Sequence, residues 1–411
     1  MLRLVLKALC FSVAIFSTAS ISAQNWKQTQ KVLPPIDPTS PIGGQSDRVG
    51  WAVAADANVM VTGAPDSDVN GTSSGAAYVY ERVAGTWEYT GEIFPVGGNK
   101  LDNFGYCVDV SGNRIAVGAP GDSPGATSSG SVFIFEKIGS EWTQTAVLSP
   151  SDPASFDQFG YSVSLDGDRL IAGSFEDDDN GFSSGSAYIF EFNAGSWSQV
   201  AKLIASDGLD NDYFGISVSI SDTIAVCGAY LGNAGGSDRG AAYVFYKNNG
   251  LWSQQQKLIA PDGLNGDQFG VSVAVSGSRI AVGANYRDDG GNNAGAVYTY
   301  SLSGLTFTFS QKLLASDAAA NDFFGHHVNL KGTDLIIGGW ANDDLGNASG
   351  SAYVFTFAGS WAQQQKLLAP DGAAQDYFGY AVDISENQVI IGGRGDDDSG
   401  NDSGSIYIFS R

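Results

Sequence analysis

The sequence predicts an all-β protein, a β-propeller of seven four-stranded antiparallel blades, and three observations carry that prediction. A Phe-Gly pair returns with its glycines at Gly105, Gly160, Gly215, Gly270, Gly325 and Gly379, after an eroded copy at Val49-Gly50; the step is 55 residues, and 54 at the end. Short alternating apolar runs lie between the pairs, bounded by Gly, Asn, Asp and Ser, which are strand and turn signals. The last unit stops at Arg411 one strand short, while residues 25–33, "NWKQTQKVL", carry the pattern of the missing strand.

Each unit reads as four strands. In residues 268–313 these are "FGVSVAV", "RIAVGA", "GAVYTYSL" and "FTFSQKLL". Two more glycine columns keep time with the Phe-Gly glycines, running from Gly63 to Gly392 and from Gly75 to Gly404, and an Asp column runs from Asp47 to Asp376. No stretch after the first residues has helical periodicity. Seven copies of a four-strand unit predict a propeller. Trp26 and Lys31 have the separation of Trp197 and Lys202. The N-terminal strand is therefore expected to complete the last blade and to remove the open edges that unpaired strands present. The recurring Trp87, Trp142, Trp197, Trp252 and Trp361, with Phe307 in one slot, are expected to pack in the core.

Residues 1–23 read as a signal peptide: Arg3 and Lys7, an apolar run from Ala8 to Phe16, and Ile21-Ser22-Ala23 as a cleavage site. That run is short for a membrane span of about 20 residues. The propeller is expected over residues 24–411, with no membrane span. The chain carries 44 acidic and 21 basic residues, a formal net charge of −23. This excludes a basic footprint for nucleic acid. Cys10 falls in the leader; Cys107 and Cys227 sit in strand-like segments of different repeats and are expected as small buried apolar residues, not a disulfide.

These residues resemble the FG-GAP repeat family, found in the seven-bladed head of integrin α subunits. The match is "FG" followed at fixed distance by "VGAP" (117–120), with the weaker "TGAP" (62–65) and "VGAN" (282–285). The resemblance implies extracellular recognition, often adhesive and often with bound Ca²⁺. One departure stands out. The family's acidic calcium loop usually joins the FG strand to the GAP strand, and here that join is a tight turn, "SGNR" (111–114) or "SGSR" (276–279).

Antiparallel topology puts the second-to-third-strand loops and the blade connections on one face. These are the long acidic segments, such as 65–75, 175–185 and 394–404. Asp66, Asp68 and Asn70 before Gly71, and Glu176, Asp178 and Asn180 before Gly181, have the alternate spacing of a Ca²⁺ loop, though neither has the closing bidentate acid. The competing reading is that these Asp and Asn residues form turns by bonding their own backbone amides. The Asp before each Phe-Gly is expected to be a structural turn acid. Arg394-Gly395-Asp396 spells an adhesion tripeptide, and Asn70, Asn347 and Asn401 open glycosylation sequons. The only histidines, His326 and His327, are adjacent on a strand and are expected to pack locally. No nucleophile elbow, zinc-spaced cluster or phosphate loop is present.

The resulting expectation is a secreted, monomeric, non-catalytic binding or adhesion module. Its acidic loop face would meet an extracellular protein or glycan ligand, bridged by Ca²⁺. The alternatives are an enzyme acting on extracellular polysaccharide through loop carboxylates, and a structural surface or matrix protein.

Overall fold

The computed structural model describes residues 25–34, 46–232 and 238–411. The expected signal peptide, Cys10 included, lies outside the described residues. Among the described residues there are seven four-stranded antiparallel sheets. Blade 4 is typical, with strands Phe214–Ser221, Ile224–Ala229, Ala241–Asn248 and Leu251–Leu258. The first strand of every blade lines the central axis.

Blade 7 closes the ring as its sequence requires. Its outer strand is Lys27–Val32, paired antiparallel to Ser405–Ser410 with Lys31 opposite Tyr407. Trp26 is 3% exposed and sits in a core cluster with Ile336 and Val354 of blade 6 and Phe409 of blade 7. Amides stitch both sides of this strand to its neighbours. Gln365 accepts from Trp26 N (2.8 Å) and donates to Trp26 O (2.9 Å); Gln30 does the same to Trp87 (2.9 and 2.7 Å). Trp26, Trp87, Trp361 and Phe307 are buried, while Trp142, Trp197 and Trp252 are half-buried and pack against the cores from outside.

The hydrophobic core is divided into clusters between adjacent blades. Phe159 of blade 3, for instance, packs edge-on to Tyr188 at 5.6 Å and joins Ile134 and Leu148 of blade 2. The glycine columns follow from how closely blades approach. A Cβ on Gly118 would lie 2.0 Å from the carbonyl oxygen of Gly160 in the next blade, so no larger residue fits. Gly160 itself has φ +85°, a conformation that favours glycine. The Asp column is structural in six blades: Asp102, Asp157, Asp212, Asp267, Asp322 and Asp376 each accept the amide three residues back, at 2.5–2.9 Å.

Around the axis, side chains substitute for a backbone ladder between blades. Leu165 N donates to Asp109 (2.6 Å), Ile220 N to Ser164 (3.2 Å), Val275 N to Ser219 (3.1 Å) and Ala55 N to Asp383 (2.6 Å). His327 belongs to this set, since its Nδ1 accepts Val382 N at 3.1 Å. Cys107 points the same way, with Sγ 3.0 Å from Gly160 O, and Cys227 is fully buried; both are free thiols.

Candidate binding face

The acidic loops and the blade connections share one face, joined by backbone hydrogen bonds such as Leu101 N to Thr72 O (2.9 Å) and Asn211 N to Phe182 O (2.7 Å). That face has an outer rim and an axial mouth, and the two are built differently.

The rim acids are engaged by the protein itself. In blade 3, Lys202 on the outer strand meets Asp152 (2.8 Å), Asp177 (3.0 Å) and Asp179, while the Tyr188 hydroxyl donates to Asp152 (3.0 Å) and Asp177 (2.8 Å). The same Lys–Tyr–Asp arrangement returns as Lys257–Tyr243–Asp207, Lys312–Tyr298–Asp262, Lys366–Tyr353–Asp317 and Lys31–Tyr407–Asp371. Burial works against the Lys202 charge, yet the carboxylates and Tyr188 outweigh it and raise the pKa. Burial likewise opposes the Asp152 charge, and Lys202 and Tyr188 outweigh it to hold that carboxyl below its usual range. Blades 1 and 2 have Glu92 and Val147 where the others have this Lys.

The two proposed Ca²⁺ loops belong to the same engaged rim. Asp68 Oδ1 accepts Ser73 N (2.8 Å), and Asp178 Oδ1 accepts Ser183 N (2.6 Å). Asp288, Asp343 and Asp397 make the identical bond five residues on, at 2.7–2.8 Å, so the column forms a turn. Asp66 pairs with Arg48 at 3.1 Å, and Asn70 N donates to Ser74 Oγ. Asn180 Nδ2 donates to Ala205 O at 3.3 Å. Burial first, then Asp178, pushes the Glu176 pKa up. Among the described residues no three His, Cys, Asp or Glu side chains are grouped to hold a metal ion. Asp68 and Asp178 each have one carboxylate oxygen committed to a turn, whereas a Ca²⁺ shell needs six to eight converging oxygens.

The Arg-Gly-Asp tripeptide is built into the fold. Asp396 is 3% exposed and accepts from Tyr407 Oη (2.5 Å), Ser405 Oγ (3.0 Å) and Lys31 (2.8 Å). Arg394 turns the other way, with its guanidinium over Tyr380 (4.0 Å), Trp51 (4.8 Å) and Tyr377 (4.9 Å). The tripeptide is not displayed as a loop tip.

Arg394 marks the axial mouth. The residues that follow the Phe-Gly glycines form its lower ring: Trp51, Tyr106, Tyr161, Ile216, Val271, His326 and Tyr380. Neighbouring rings touch, Tyr106 to Tyr161 at 4.7 Å and Trp51 to Tyr380 at 5.2 Å. Above them Tyr213 stacks on Tyr230 (5.6 Å, 23°) and Phe323 on Trp340 (5.1 Å, 11°). Tyr213, Phe323 and Tyr377 hold φ of 52–56°, and Arg48, Asn103, Gln158 and Gln268 hold φ of 52–58° at the same repeat position, so this left-handed backbone belongs to the repeat. The rings surround a cavity of about 560 Å³, within the usual size of a ligand site. His326 and His327 both line it. Burial lowers their pKa values to about 3 and about 4, so both are neutral near pH 7. Burial also pushes Asp109 to about 7 and Asp383 to about 6.

The sequence reading identified the face but not the mouth. Six of the eight tryptophans fall in the outer-strand slot; Trp51 and Trp340 do not, and both are in the mouth. The signal was present in the two columns immediately after the Phe-Gly and Gly-Ala pairs, where the repeat varies and aromatic residues collect.

A closed ring of seven four-stranded antiparallel blades defines the β-propeller class. Comparison then identifies the family. The FG-GAP repeat model matches residues 26–80, 87–135, 142–190, 197–245, 252–300, 307–355 and 361–409, and the chain belongs to the FG-GAP repeat family. Each matched unit starts at the outer strand of one blade and ends in the third strand of the next, so the family's repeat straddles blades. No curated protein matches the chain. Among solved structures, a chain of "Crystal Structure of Mitotic Checkpoint Complex" superposes with TM-score 0.57 at 10% identity, over 98% of this chain and 99% of that one. At that identity the likeness concerns the fold alone.

Proposed function

We propose that this protein is a secreted, monomeric, non-catalytic binding module that recognises an extracellular protein or glycan at the axial mouth of its acidic face. The observation that supports the reading most is the contrast on that face: the rim acids are tied to Lys, Tyr and backbone amides, while the mouth offers aromatic rings around a cavity. FG-GAP repeats are typical of extracellular domains, and no helix among the described residues is long and apolar enough to cross a membrane. Ca²⁺ is not needed for this reading.

The test is binding of the purified protein to arrays of extracellular proteins and glycans, alongside Phe323→Ala and Trp51→Ala. Capture by the wild type that falls at least tenfold in both variants is expected. Capture that persists in both sinks the axial assignment. Export is checked separately by expressing the full chain and sequencing the N-terminus of the protein found in the medium, expected to begin at Gln24.

A further inference from the structure

One side of the mouth carries polar groups that the protein leaves unmatched. Asn285 is 4% exposed, lines the cavity, and its Oδ1 has no hydrogen-bond partner. Its Nδ2 lies 3.5 Å from His326 Nδ1, a long approach. Across the same side, the Trp340 Nε1–H is buried and also unpartnered. A buried acceptor and a buried donor left unpaired are costly, and native proteins keep such groups satisfied. Both residues line one cavity, and both polar atoms are closed off in this structure, so a bound molecule meets them by turning the two side chains toward it.

That molecule must offer a donor to Asn285 and an acceptor to Trp340, which a hydroxyl or an amide group does and an ammonium or a carboxylate does not. Formal charge is disfavoured from both sides. Arg394 already occupies the cation-binding ring faces of Trp51, Tyr377 and Tyr380 and would repel a second cation. The Arg394 guanidinium is itself already covered by those rings, and burial holds His326 neutral, so neither is on hand as a positive partner for an anion. Beside the two polar atoms, Tyr286 is 38% exposed and packs edge-on to Phe323 at 5.3 Å. This leaves an accessible aromatic surface for an apolar face. Hydroxyls on an edge and C–H groups on a face are the two sides of a pyranose ring.

We infer that the axial cavity is a saccharide site for a neutral, hydroxyl-bearing sugar ring, with Asn285 and Trp340 as its hydrogen-bonding pair and Tyr286 and Phe323 as its apolar wall. This inference rests on the binding-module reading and narrows its ligand. The same chemistry is supplied by a free sugar or by the terminal residue of a glycan chain, and the test separates them.

Saturation-transfer NMR on the purified protein with free D-glucose, D-galactose, D-mannose and N-acetyl-D-glucosamine is run beside a printed array of neutral and sialylated glycans. At least one neutral sugar is expected to bind, with affinity lowered at least tenfold in Asn285→Ala and Trp340→Ala. Trp340→Phe, which keeps the stack on Phe323 and removes the donor, is expected to lose about as much as Asn285→Ala. Asp68→Asn, on the rim, is expected to leave binding unchanged. Signal from free sugars marks a small-molecule site; signal confined to the array marks a glycan terminus, and either supports the inference. Silence of every neutral probe, binding restricted to sialylated probes, or binding that survives both alanine changes overturns it. Capture of a protein that is lost in Trp51→Ala and Phe323→Ala, with neutral sugars silent, removes the sugar and leaves the module. Release of reducing ends from a bound glycan removes the non-catalytic module and leaves the sugar.

Discussion

Rim and axis lie on one face and share one repeat, yet a buried polar residue in each fares in opposite ways. At the rim, Asp177 is 3% exposed and has Lys202, Ser186 and Tyr188 as partners. At the axis, Asn285 is equally buried and its oxygen has none. The rim positions recur in phase, because each blade must tie down its own loop and the neighbouring connection. The mouth positions vary from blade to blade, because nothing in the ring's closure depends on them. Abundant charge therefore marks scaffold here, and broken periodicity marks the surface free to be specific.

That contrast can be broken at the rim first. Lys202→Ala strands Asp177 in a buried pocket with two neighbouring acids. Removing one partner of a buried pair costs about 3–5 kcal/mol; with Lys202 19% and Asp152 43% exposed, solvent screening reduces this to about 2–3 kcal/mol. Urea denaturation should show that loss with sugar or protein capture unaltered in the folded fraction. A capture defect in fully folded protein would move the site out to the rim.

The axial acids sharpen the comparison through pH. Burial raises Asp109 from 3.8 to about 7 and Asp383 to about 6. A carboxyl whose folded pKa is raised binds protons more readily in the native state, so it lowers stability as pH climbs from about 4 through the folded value. The rim acids act in the other sense. Asp152, Asp207, Asp262 and Asp371 are held below their usual range where Lys and Tyr bonds outweigh burial, so their contribution is present above about pH 4 and lost in stronger acid. Stability should peak near pH 4 and fall from there to about pH 7, and Asp109→Asn should flatten that decline. A melting profile that rises steadily from pH 5 to 8 would contradict the burial of these two carboxyls.

A smaller effect is expected at the His position of the mouth. His326 is neutral and sits 5.0 Å from Tyr380 and 6.0 Å from Trp340. His326→Phe keeps an aromatic there and should change stability by less than about 1.5 kcal/mol, as volume-conserving swaps do. A change in the pH dependence of ligand capture would show that the imidazole itself takes part.

The smallest effect is expected from Ca²⁺. With Asp68 and Asp178 engaged in turns, the melting temperature in Ca²⁺ and in chelator should coincide. A ligand that binds only the folded state would raise it by mass action. A rise of several degrees, lost in Asp68→Ala or Asp178→Ala, would restore the Ca²⁺ loops that the spacing of Asp66, Asp68 and Asn70 and of Glu176, Asp178 and Asn180 suggests.

The sequence by itself determined the ring. Its Phe-Gly, Gly-Ala and Ser-Gly columns are forced by blade contacts too close for a Cβ, and Trp26 with Lys31 announced the closing strand, because a repeat imposes the same steric demand seven times and so writes it seven times. Tertiary structure alone decided which acids are free. Asp68 reads as a ligand by spacing and proves to be the acceptor for an amide five residues on; Asp396 reads as part of an adhesion tripeptide and is closed in by Tyr407 and Lys31, which are 376 residues apart in the chain. The mouth belongs to the same class. Trp51, Asn285 and Trp340 look like lapses in the pattern until the ring closes and brings one residue from each blade to the axis, since what a side chain can bind depends on partners that only folding supplies.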